Sequence, residues 1–252
     1  MRTPPWKLPS DLPWHALKSP VEQWHELPSF LVGEVFFIGL AALCLWHALR
    51  QPDRGRHLLA FVGSLIVGTA NDMFFMALPL VDIFWQAQAT IMLTPRLPLY
   101  IPCVYICFMY IPLIAASRLR LPLVSKAALS GLGAGVFYWP YDVVGAKHLW
   151  WTWHDSDPAV QHRLFGAPVG STQWTIVFTA TFALLFHLNL RRAPDPVPAR
   201  AAARTLLLCA LFSTPLMMAQ MPLWQTLDGG VPGPRGLVGM VVLYAAVTAL
   251  GL

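Results

Sequence analysis

Charge is the scarcest property of this 252-residue sequence. Asp, Glu, Lys and Arg make up 12% of it, about half the 25% share usual in a soluble domain. So few charges cannot coat a water-exposed globule, and lipid is the simpler solvent. Cysteine is scarce as well. Cys44, Cys103, Cys107 and Cys209 all fall inside apolar runs and form no Cys-x-x-Cys pair, which argues against a disulfide framework and leaves them as small packing residues. The first 28 residues mix proline, tryptophan and charge without an apolar core segment, so no cleavable signal peptide is expected. Walker-type loops, Gly-x-Ser-x-Gly elbows and His-Glu-x-x-His pairs are missing. The net charge of +5 comes from basic residues beside apolar runs, not from a basic stripe, so nucleic acid is not an expected partner. His148, His154, Asp155 and His162 lack a recognised ligand spacing. No metal and no cofactor are expected.

What the sequence does have is apolar length. Hydrophobic residues make up 56% of it. A bilayer core of about 30 Å needs about 20 apolar helical residues. Seven stretches qualify or nearly so: 29–49, 58–80, 97–116, 121–144, 172–190, 205–223 and the short 237–252. The last reaches the final residue without a polar tail, which raises the expectation of truncation there. The expected fold is all-α, a polytopic membrane helix bundle of about seven transmembrane helices. Residues 1–28 are expected to be an N-terminal interfacial segment anchored by Trp6, Trp14 and Trp24, and 29–252 a single transmembrane domain. The apolar stretch 81–93 is too short to span and reads as interfacial or re-entrant. Gly131 and Gly135 form a Gly-x-x-x-Gly pair suited to close helix packing, and Pro98, Pro102 and Pro112 are expected to bend the third span.

Basic residues alternate between the connecting loops. Arg50, Arg54 and Arg56 follow the first span, Arg118, Arg120 and Lys126 flank the third and fourth, and Arg191, Arg192, Arg200 and Arg204 separate the fifth and sixth. Loops rich in Lys and Arg stay cytoplasmic. Seven spans then place the N-terminus outside and the C-terminus in the cytoplasm, in a cell inner membrane or an endomembrane.

An ionisable side chain in a span costs about 3 kcal/mol on insertion scales, so it usually faces the bundle interior and has a task. Glu34, Asn71, Asp72, Asp82, Tyr141, Asp142 and Gln220 all fall toward the non-cytoplasmic side under this topology. The competing explanation is a hydrogen-bond network that only fixes packing. Clustering at one depth favours a cavity. The following loop carries Trp150, Trp151 and Trp153, which suit an aromatic belt or a binding wall. His47 and His187 lie near the cytoplasmic ends and read as interfacial caps.

Two blocks carry a resemblance over roughly residues 60–190. One is Gly68-Thr69-Ala70-Asn71-Asp72, then Arg96-Leu97-Pro98-Leu99-Tyr100-Ile101 and Tyr105. The other is Tyr141-Asp142-Val143-Val144-Gly145, then Trp150-Trp151-Thr152-Trp153, Phe165-Gly166-Ala167-Pro168-Val169-Gly170 and Trp174. The arrangement resembles an uncharacterised multipass membrane family, a domain of unknown function. More distantly it resembles the CruF-type carotenoid hydratases, with Asp72 where those carry Glu. The resemblance implies acid-catalysed hydration or cyclisation of a lipophilic isoprenoid, as in carotenoid biosynthesis. Asp72 would give the proton, Asp142 would position water, and Glu34 would complete the acidic set. Asn71, Tyr100, Tyr141, Trp151, Trp153, Trp174 and Gln220 would bind substrate, with the indole faces steadying positive charge. The alternative is a transporter or a lipid-binding membrane protein without catalysis. Membrane lipid and a lipophilic small molecule are the expected partners, and the oligomeric state is left open.

Overall fold

The computed structural model describes residues 14–77, 84–153 and 157–251. Among them eight α-helices alternate with short strands. The helices are α1 (Pro20–Glu26), α2 (Pro28–Arg50), α3 (Arg54–Ala77), α4 (Tyr100–Ser117), α5 (Leu123–Lys147), α6 (Val169–Leu190), α7 (Ala199–Gln225) and α8 (Pro234–Leu250). Five of them, α2, α3, α4, α6 and α7, are long and apolar enough to cross a membrane. The protein is an all-α chain of membrane-spanning type. Helix α5 is as long as these and is the richest in glycine, and α8 is a shorter apolar helix.

Consecutive helices run back and forth, so the bundle has two unlike ends. At one end the turns are short, around residues 51–53, 118–122 and 191–198, and they hold or adjoin most of the basic residues. Arg56 donates to the carbonyls of Leu190 and Ala193, and Lys126 donates to that of Ser117. Leu190 and Ser117 end their helices, so these bonds help satisfy carbonyls that have no partner within them. At the other end long connections fold into three two-stranded antiparallel ribbons. Strand β1 (Phe84–Gln86) pairs with β4 (Trp151–Trp153), β2 (Met92–Thr94) with β3 (Leu97–Pro98), and β5 (Arg163–Leu164) with β6 (Ala167–Pro168). The stretch expected to be interfacial or re-entrant, 81–93, supplies β1 and the start of β2 where it is described. Asp82, His154 and Asp155 lie outside the described residues.

Side chains explain why helices tolerate polar residues here. Ser64, Ser130, Thr175 and Thr205 each donate to the carbonyl four residues earlier, which hides a hydroxyl without a second helix. Gly131 and Gly135 face α6, where a Cβ on Gly131 would lie 2.5 Å from the Ile176 carbonyl oxygen. The pair brings α5 and α6 into their closest packing. Of the three prolines expected to bend one helix, Pro98 sits in β3, Pro102 lies in the first turn of α4, and Pro112 lies in its interior. Outward-facing Val32, Phe36, Leu43, Trp46, Val136, Leu211 and Val242 are exposed. An apolar surface this extensive is foreign to a soluble monomer and suits acyl chains.

The N-terminal segment is bound to the ribbon end. Lys18 donates its backbone N–H to Thr90, Met92 donates to Ala16, and Leu17 bridges Ile91. The Ser19 side chain caps α1 by accepting from Val21. Trp14 and Trp24 are exposed beside it, while Trp6 lies outside the described residues.

Candidate functional site

The ribbon end encloses a cavity of about 70 Å³, room for several waters or a short ligand segment. More than half of its lining residues are aromatic, and the polar members include Asn71, Asp72, Gln86, Ser171 and Thr175. Each wall follows from a simple periodicity. On α3, Asn71, Asp72 and Phe75 share a face at i, i+1 and i+4. On α6, Ser171, Trp174, Thr175 and Phe178 do the same at i, i+3, i+4 and i+7. On α5, Tyr138 and Tyr141 lie three apart. Strand residues two apart share a face, so Phe84 and Gln86 of β1 and Trp151 and Trp153 of β4 all point into the cavity. The ribbon therefore acts as its lid. Trp151 packs so closely against α5 that a Cβ on Gly145 would sit 2.0 Å from its ring. Glycine at that position is what lets the lid close.

Asp72 is buried and held by a directed chain of hydrogen bonds. The Thr214 hydroxyl donates to Asn71 Oδ1 at 2.8 Å, Asn71 Nδ2 donates to Tyr105 at 3.3 Å, and the Tyr105 hydroxyl donates to Asp72 Oδ1 at 3.2 Å. The other oxygen, Oδ2, is buried without a partner. A buried unpaired carboxyl oxygen costs about 1–3 kcal/mol or more, so its presence in a cavity wall points to a task.

Asp142 is fully buried and bonded to the Ser171 hydroxyl. Ser171 Oγ also lies 2.9 Å from the Pro168 carbonyl, to which it donates. One hydroxyl has one proton. Both contacts hold together when Asp142 carries a proton and donates it to Ser171. Asp142 Oδ1 is buried without a partner, and so are the indole nitrogens of Trp151, which leans toward Asp142, and Trp153. Tyr141 donates to Tyr100 at 3.4 Å, and Tyr100 donates to Gln86 at 3.1 Å. Tyr100 thus braces the lid from behind.

Asn71, Asp72, Tyr141, Trp151, Trp153 and Trp174, all expected at a site, line one cavity. Tyr100 and Asp142 stand directly behind it, each bonded to lining residues. Two further expected members lie away from it. Glu34 accepts from the Thr90 N–H at 2.9 Å and from its hydroxyl at 2.5 Å, which ties the 87–91 segment to α2. Gln220 donates to Thr181 and to the Leu216 carbonyl. Tyr105, noted in the sequence only as part of the resemblance, lines the cavity too, and so do Tyr138, Gln86 and Ser171, which did not stand out. Tyr138 was within reach of helical spacing from Tyr141, whereas Gln86 depends on a ribbon that no local pattern announces. Among the described residues no three His, Cys, Asp or Glu side chains converge as a metal site.

At the short-loop end, His47 and His57 both contact the Tyr110 hydroxyl, at 2.8 and 3.0 Å. His47 also receives a bond from Arg118, and His57 faces Asp53 at 3.3 Å. The capping role expected for His47 gives way to this side-chain network. His187 reaches Ser117 at 3.5 Å.

The family comparison leaves the chemistry open. A domain of unknown function (DUF7802) matches residues 13–193, and the chain belongs to that family. The match covers every cavity-lining element except α7, which contributes Met217. No curated protein and no solved structure matches the chain.

Proposed function

We propose that the protein crosses the membrane seven times and performs acid-catalysed addition, hydration or cyclisation, on a lipophilic unsaturated substrate of isoprenoid type. The observation that carries this reading is Asp72 Oδ2, an unpartnered oxygen in an aromatic cavity. In its protonated form Oδ2–H adds its proton to one carbon of a C=C bond. The π electrons form the new C–H bond and leave a cation on the neighbouring carbon. The π faces of Trp151, Trp153 and Trp174 stabilise that cation. In hydration a water oxygen then bonds to it and loses a proton, which returns to Asp72. In cyclisation a second C=C bond attacks and a neighbouring C–H gives up the proton. Tyr105 steadies the carboxylate left behind by donating to Oδ1. Ser171, oriented by Asp142, serves as the positioning residue for water.

The small volume favours a second reading, binding or transport without catalysis, because about 70 Å³ holds only part of a lipid. Mass spectrometry of lipids co-purifying with wild type and Asp72→Asn separates the two. Catalysis predicts that the variant accumulates an unsaturated precursor that wild type converts. The same lipid, unaltered, from both proteins overturns catalysis. For orientation, a cysteine placed in the 51–57 or 191–204 loop is expected to label from the cytoplasm. Cytoplasmic labelling of His154→Cys would sink that topology.

A further inference from the structure

A second space lies beside the acid cavity, on the outside of the bundle. It is a groove of about 580 Å³ between α2 and α5, within the ~300–1,000 Å³ range of ligand sites. Both helices pack on α4, and their backbones hardly touch each other. Val32, Gly33, Phe36 and Phe37 form one wall, and Phe137, Pro140, Tyr141 and Val144 the other. Polar groups appear only at the ribbon end, where Ser29 and His148 sit with Trp150. From Ser29 to Phe37 the groove follows about 12 Å of helix. Its rims, Val32, Phe36 and Val144, are exposed on a surface that faces acyl chains. Tyr141 lines both this groove and the acid cavity. Phe37 meets Tyr141 edge-on at 4.8 Å, so the two spaces are separated by rings, not by backbone.

We infer that the groove holds the tail of a single-chain membrane lipid whose neutral or cationic head passes Tyr141 into the acid cavity. The head class follows from the walls. Among the described residues no Lys or Arg lines either space, and the cavity presents a carboxylic acid and π faces, which offer a phosphate no counter-charge and suit an uncharged or positive group. The tail class follows from the apolar walls and the opening toward lipid. This rests on the proposed function in using its cavity, and it adds the direction of approach and the exclusion of anionic heads.

The test uses the full chain in phosphatidylcholine vesicles and three photoreactive probes, diazirine-bearing hexadecanol, hexadecylamine and hexadecyl phosphate. Crosslinks are mapped by peptide mass spectrometry. The alcohol and amine are expected to label Val32, Phe36, Phe137 or Val144 several-fold above Val136, a more exposed residue outside the groove. The phosphate should label them several-fold less. Val32→Trp with Val144→Trp should remove the preference, while Val136→Trp, as a folding control, should not. Equal labelling at Val136 overturns the groove, and equal labelling by the phosphate overturns the head class. Asp72→Asn keeps the groove intact, so labelling that persists while turnover fails to change rejects only the acid chemistry. Uniform labelling with turnover lost in Asp72→Asn rejects only the groove.

Discussion

The two ends of this bundle bury polar groups in opposite ways. At the short-loop end every heteroatom of the His47–Tyr110–His57 cluster is used. Arg118 only donates and the Asp53 carboxylate only accepts, so the bonds between them run one way. Arg118 donates to His47 Nε2, His47 Nδ1–H to Tyr110, the Tyr110 hydroxyl to His57 Nδ1, and His57 Nε2–H to Asp53. The partners at each end set both histidine tautomers, and α2, α3 and α4 are pinned together. At the ribbon end a chain of the same kind stops at Asp72 Oδ1 and leaves Oδ2 unpaired, as is the indole nitrogen of Trp153 in the same cavity lining. A closed network is what packing needs. An open one, with its loose ends in a cavity wall, is what a ligand needs.

Four substitutions test this contrast. The largest effect is expected for Asp72→Asn, which keeps an acceptor for Tyr105 and removes the transferable proton. Turnover of the co-purified lipid should fall about 10²–10⁴-fold, with the melting temperature in detergent nearly unchanged. A large stability loss with turnover per folded molecule intact would erase the contrast. Next is Tyr110→Phe, which strips the shared hydroxyl from two buried imidazole nitrogens. The expected loss is about 1–3 kcal/mol, read as a lower melting temperature with turnover per folded molecule preserved. A smaller effect is expected for Glu34→Gln, because the amide oxygen still accepts from Thr90. Stability should shift by less than about 1 kcal/mol and turnover should hold. A catalytic loss there would return Glu34 to the site. The smallest stability effect belongs to Trp153→Phe, which removes an indole N–H that has no partner. Melting should move within about 0.5 kcal/mol, and any change should appear in lipid retention instead. A clear destabilisation would mean that this nitrogen is bonded after all.

The ribbon is where reading along the chain falls short. A three-residue strand has no periodicity of its own to detect, and the partners of Trp151–Trp153 lie at Phe84–Gln86, a separation bridged by two helices. Glu34 shows the reverse error. Its type and expected depth match those of Asp72, and each has one bonded and one unpaired oxygen, yet Glu34 points at the Thr90 segment and lines no part of the cavity. Depth along the membrane is legible in sequence, whereas the direction a side chain faces around the bundle is not.

By itself the sequence determined that the chain is an all-α protein with membrane-spanning helices, because apolar length and sparse charge leave no other solvent for it. It also picked out Asn71, Asp72 and Tyr141, since polar groups at one depth are too costly to scatter at random, while the resemblance pointed to Trp151, Trp153 and Trp174. Only the tertiary structure decided which of them share a wall, that a cross-chain ribbon closes over them, and that Tyr141 divides an acid cavity from a lipid-facing groove. Those depend on how helices rotate and pack against one another, which is set by contacts such as Gly145 against Trp151 and Phe37 against Tyr141, made between residues that no local pattern along the chain connects.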